Sequence, residues 1–127
     1  MEELLMNMNW TATIVGAIAA FLVGWVWYSP MLFQKGWLEG VGVSPDDSSS
    51  MMHAMLAQAV GTFLLAWVIG VTATTNSLAL AILIALTIAT IIKANGLFCK
   101  KSHYAIMVES GFILVMVAVM IAAHAVI

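Results

Sequence analysis

Two ionisable residues, Lys93 and Glu109, stand inside long apolar runs, and they are the first place to look for chemistry. They lie eight residues to either side of Lys101, so a helical hairpin turning there brings them to similar depth. Charge within a membrane is costly and tends to be paired or to face a polar cavity, which makes the two a candidate intramembrane pair. Asn95, Ser110 and His103 are close enough in sequence to join a hydrogen-bonded network around them, and Gln58 adds a polar side chain from another run. A plainer reading has both charged chains reaching for headgroups, since Lys93 is only about 7–8 Å of helix rise from the turn.

Other chemistries find less support. The Met51-Met52-His53-Met55 cluster offers thioether and imidazole, ligands that suit Cu(I). Methionine is abundant here, however, and commonly fills gaps in helix packing, while His53, His103 and His124 show no metal-motif spacing, so no metal site is assigned. No H-E-x-x-H, G-x-S-x-G, P-loop or dinucleotide fingerprint occurs. No catalytic residue or cofactor is therefore assigned, and the chain is expected not to be an enzyme. The single Cys99 cannot form an internal disulfide. A formal net charge of −2 with four dispersed lysines excludes the basic stripe that nucleic acid requires.

The elements that must position these residues follow from composition. Of 127 residues, 64% are hydrophobic and 8% charged, against about 25% charged in a typical soluble domain. Segments 9–28, 52–73, 78–98 and 104–126 are each long and apolar enough to cross a hydrocarbon core, which takes about 20 helical residues. Backbone groups must be satisfied inside lipid, and runs this long in Ala, Leu, Met and Ile satisfy them as helices. The expectation is an all-α, integral-membrane four-helix bundle forming a single domain over 1–127. The first run exceeds a signal-peptide core and follows Glu2 and Glu3 in place of basic residues, so it is read as a retained helix.

Orientation follows from lysine. Lys35 lies in the first connection, Lys100 and Lys101 in the third, and Lys93 near the end of the helix leading to it. With four spans those connections share a side, which the positive-inside rule makes cytoplasmic. The expectation is a multi-pass protein of the inner (plasma) membrane, in contact with its lipids, with both termini extracytoplasmic.

The segment 29–51 carries its own punctuation. Trp25, Trp27, Tyr28, Phe33 and Trp37 form an interfacial anchor with Ser29, Pro30 and Lys35, because rings with apolar bodies and polar tips suit the headgroup level. Ser29 and Pro30 can start a short interfacial helix that ends at Gly40 and Gly42, and Ser44-Pro45-Asp46-Asp47 is a second start signal. Small residues at four-residue spacing let helices approach closely in lipid. Ala12, Gly16, Ala20 and Gly24 make such a row on the first helix, and Ala81, Ala85 and Ala89 one on the third that ends at Lys93. Ala57 with Gly61, and Ala118 with Ala122, are shorter versions.

At Asn9-Trp10, the glycine row, Trp27-Tyr28-Ser29-Pro30, Phe33, Lys35 and Trp37, the chain resembles the small bacterial membrane proteins grouped as domain of unknown function 1761. It carries Gln34 where glycine is usual in that family, and Glu109 where the last helix is more often neutral. The resemblance implies the four-span layout and no activity. The expected role is non-catalytic: a homo-oligomer or an accessory subunit of another membrane protein. The alternative is a small channel or transporter whose polar path runs between protomers, lined by Lys93, Glu109, Asn95 and Gln58.

Overall fold

The computed structural model describes residues 2–28, 34–41 and 48–127, without the side chains of Glu3, Gln34, Leu38, Val41 and residues 48–52. Among the described residues the elements are α1 (Glu2–Leu5), α2 (Trp10–Trp27), α3 (Gln34–Val41), α4 (Ser48–Thr74), α5 (Leu78–Phe98) and α6 (His103–Val126), with no strand. Helices α2, α4, α5 and α6 are long and apolar enough to cross a membrane. The short α1 precedes the first span, where hydropathy gives no signal for it. Ser29, Pro30, Phe33 and the Ser44-Pro45-Asp46-Asp47 start signal lie outside the described residues.

Side-chain caps set two of the helix starts. The Asn9 Oδ1 accepts the Ala12 N–H at 3.1 Å at the head of α2, and the Ser102 Oγ accepts the Ala105 N–H at 3.1 Å at the head of α6. Both hairpin turns close α-helices in the same way. After α4, Ser77 N–H donates to the Thr72 carbonyl and Asn76 N–H to the Ala73 carbonyl; after α5, Lys101 N–H donates to Gly96 and Lys100 N–H to Leu97. These are Schellman motifs, which need a left-handed residue, and Asn76 (φ 53°) and Lys100 (φ 59°) supply it.

The four spans alternate in direction, so one end of the bundle carries both termini and the other carries the lysines. Helix α6 is the hub: α2 and α5 flank it, α4 closes against α2 and α6, and α3 packs on its start. Ala105, Ile106, Val108, Phe112, Met116, Val117 and Met120 are its buried residues. The core joins Phe112, Met116, Val117 and Met120 to Ala17 and Ala20 of α2, to Leu65, Ala66 and Ile69 of α4, and to Ala81 and Ala85 of α5.

Small residues set the spacing of these contacts. On α2, Gly16 faces Met120 so closely that a Cβ there would lie 3.3 Å from its Cα, and Gly24 faces the Phe112 ring, with Ala20 fully buried between them. On α5, Ala81, Ala85 and Ala89 are buried, but the row continues to Gly96 and not to Lys93. A four-residue step turns about 40° around a helix, so after three steps the row has left the contact face. Ala57 and Gly61 of α4, and Ala118 and Ala122 of α6, are exposed and space nothing within the protomer. Large apolar side chains such as Ile18, Leu22, Leu83 and Leu86 point outward, as they do on a protein whose solvent is lipid.

Candidate functional site

The site is built where α5 turns into α6. The Schellman motif at Lys100 throws the next residue, Lys101, back over the first turns of α6, and there its ammonium meets Glu109. The Lys101 Nζ lies 3.0 Å from Oε1 and 3.1 Å from Oε2 of that carboxylate. A second donor arrives from α3: Trp37 Nε1 gives its hydrogen to Glu109 Oε2 at 3.0 Å. The carboxylate is thus held by a cation and an indole at once, with the Lys101 and Glu109 side chains 28% and 16% exposed. Such charge-assisted bonds are shorter and stronger than neutral ones, and half-burial strengthens them further.

Helix α3 reaches this position through its own glycines. Gly36 lies against the Tyr104 ring, and Gly40 against Ser102 and Ala105, so closely that a Cβ at either would collide. The Gly40 carbonyl also accepts the Ser102 N–H at 3.1 Å, an N–H that precedes α6 and has no partner within it. The expected interfacial helix therefore packs its glycine edge on protein, and Trp37 between those glycines points at Glu109.

Aromatic rings wall the clasp toward the bundle. Trp37 packs on Tyr28 with centroids 4.8 Å apart, and Tyr28 meets Phe112 edge-on at 5.4 Å. Trp27 lies 6.1 Å from Phe112, and its indole N–H donates to the Val108 carbonyl at 3.0 Å. Just past the end of α2, burial and then the Glu109 charge push the Tyr28 phenol up from its ordinary pKa, so the hydroxyl stays neutral. At the same end Trp25 is 68% exposed and Lys35 is exposed, positions suited to a headgroup layer.

The structure does not join Lys93 to Glu109. Lys93 is exposed on α5, while Glu109 turns to the α2–α3 side of α6; equal depth in a hairpin does not fix which face a residue occupies. The rest of the candidate network is dispersed as well. Asn95 is exposed and takes only a long contact from the Cys99 thiol at 4.0 Å; Ser110 donates to the Ile106 carbonyl of its own helix at 2.8 Å; His103 is exposed at the start of α6. Gln58 sits elsewhere, beside Thr62 and Met116. His53 and Met55 are exposed, Met51 and Met52 have no described side chains, and the described residues contain no group of three or more His, Cys, Asp or Glu arranged to hold a metal.

Lys101 and the Gly36/Gly40 pair are the site residues that the charge and hydropathy patterns do not single out. The four-residue spacing of those glycines in an otherwise amphipathic stretch is the signal that marks a docking edge.

Three bilayer-length helices packed on a fourth, α6, and pinned at one end by an ion pair and the short α3, define a multi-pass all-α membrane protein. It belongs to the family described as protein of unknown function (DUF1761), whose model matches residues 11–124. Neither the curated proteins nor the solved structures contain a match to it.

Proposed function

We propose that this protein is a non-catalytic component of the inner membrane, acting as a homo-oligomer or as an accessory subunit of a larger assembly, with the lysine end in the cytoplasm and both termini outside. The observation that supports this reading is the closed state of the clasp. A transport path needs polar groups that converge on one wet space. Here the carboxylate of Glu109 is committed to Lys101 and Trp37 and walled by Tyr28 and Phe112, while Lys93, Asn95, His103 and Gln58 stand on separate faces. The clasp secures α3 to α6 and gives the bundle a fixed surface at the cytoplasmic headgroup level.

The test is solute flux. Proteoliposomes holding the wild-type chain should leak small cations, anions and protons no faster than empty vesicles, and Glu109→Gln should change nothing. Saturable flux that Glu109→Gln alters would overturn this reading in favour of a channel or transporter with its path between protomers.

A further inference from the structure

The inner half of α4 continues the core stripe, but among the described residues nothing packs on it. From Thr62 toward the terminal end, Thr62, Leu65, Ala66 and Ile69 are buried against α2 and α6. Toward the lysine end the same face continues through Gln58 to Ala54, one helical turn apart, and residues 53–61 are all exposed. A groove of about 240 Å³ opens beside it, between Ala17 and Phe21 of α2 and Ala59 and Phe63 of α4. Among the described residues nothing lies within 4 Å of the position a Gly61 Cβ would take.

Gln58 makes this more than an ordinary lipid-facing surface. Its depth is fixed by its neighbours: the amide donates to Thr62 Oγ1 at 3.1 Å and touches Met116 Sδ at 4.0 Å, and Met116 sits midway along α6. A primary amide level with Thr62 and Met116 lies within the hydrocarbon layer, where water is scarce, and among the described residues its carbonyl oxygen accepts nothing. Lipid chains offer no donor. A partner must bring one to this depth.

We propose that the partner is a second copy of this chain, its α4 packed against α4 so that the two Gln58 amides hydrogen-bond to each other. A primary amide carries donor and acceptor together and is therefore complementary to itself. Two copies inserted in the same direction are related by an axis along the membrane normal, so each residue meets its counterpart at equal depth. Ala54 and Gly61 flank Gln58 and leave room for the backbones to approach, the arrangement by which helices associate in lipid. The proposal rests on the homo-oligomer form of the function proposed above and gives it a surface.

The experiment uses the full chain carrying Cys99→Ser, in vesicles of phosphatidylcholine and phosphatidylglycerol. Energy transfer between labelled copies is followed as protein is diluted into lipid, and single cysteines at Ala54 and at Ile91, on the outer face of α5, are exposed to an oxidant. The expected result is a dimer whose association weakens about tenfold in Gln58→Leu, with Ala54→Cys trapped as a disulfide-linked dimer and Ile91→Cys left monomeric. An oligomer indifferent to Gln58→Leu, or trapped through Ile91→Cys instead, overturns this surface while the homo-oligomer reading stands. A chain that is monomeric at every dilution overturns both and leaves only the accessory-subunit role. Because Leu suits a lipid-embedded helix, retained helicity in Gln58→Leu separates lost association from lost folding.

Discussion

Glu109 is a charge whose cost is offset by two partners from different elements, so its variants should be unequal. Removing the cation in Lys101→Met strands a half-buried carboxylate, with an expected loss of about 2–3 kcal/mol, below the range for a fully buried pair because water still reaches both groups. Lys101→Met combined with Glu109→Gln should recover most of that loss, since a neutral amide oxygen still accepts the Trp37 indole N–H. Thermal unfolding in mild detergent reads the difference; a double variant no more stable than Lys101→Met would show that the stranded carboxylate is not the source of the loss. Trp37→Phe should cost about 1–3 kcal/mol by deleting a bond to a charged acceptor. Sequence makes Glu109 conspicuous, as an acid in an apolar run. Its partners are not legible there: Lys101 is aimed by the left-handed turn at Lys100, and Trp37 by a glycine edge, both consequences of backbone geometry and not of hydropathy.

At the scale of elements, two positions are set by backbone shape. Lys100 occupies the left-handed site that closes α5, where an L side chain costs energy and glycine does not. Lys100→Gly should therefore raise stability by about 1 kcal/mol, and a lowered melting temperature would mean that the lysine makes a compensating contact. Gly24 is the opposite case, because a Cβ there would lie 2.6 Å from the edge of the buried Phe112 ring. Gly24→Ala should cost about 1–3 kcal/mol of overpacking, and Phe112→Leu in the same chain should recover part of it by vacating that space; equal costs with and without Phe112→Leu would sink the contact. Helix bounds are legible to within a few residues, with α5 at Leu78–Phe98 as expected and α4 starting earlier, at Ser48, since long unbroken apolar runs suit helices of bilayer length. Helix faces are less legible. Ala81, Ala85 and Ala89 mark the buried side of α5 correctly, but the drift of a four-residue row takes Lys93 off it, and α1 is too short and too polar at Glu2 for hydropathy to show.

For the molecule as a whole, the distribution of charge sets insertion. Lys35, Lys93, Lys100 and Lys101 all belong to the end of the bundle formed by α3 and the α5–α6 turn, whereas Glu2 and the far end of α6 lie at the other. Lysine near short loops resists translocation, so that end is expected to remain in the cytoplasm. The clasp adds a consequence for the folded protein. Lys101 is spent on Glu109, so the ammonium groups left to face lipid headgroups are those of the exposed Lys35, Lys93 and Lys100. In a Cys99→Ser background, cysteines replacing Lys35 and Lys100 should both resist a membrane-impermeant maleimide added to spheroplasts and both react in inverted vesicles, while a cysteine at Glu2 should do the reverse. Labelling of positions 35 and 100 from opposite sides would break the four-span topology itself. Labelling of both from outside would invert the protein and place the α3 clasp at the outer surface. In either event the cytoplasmic surface on which the accessory role depends would be lost.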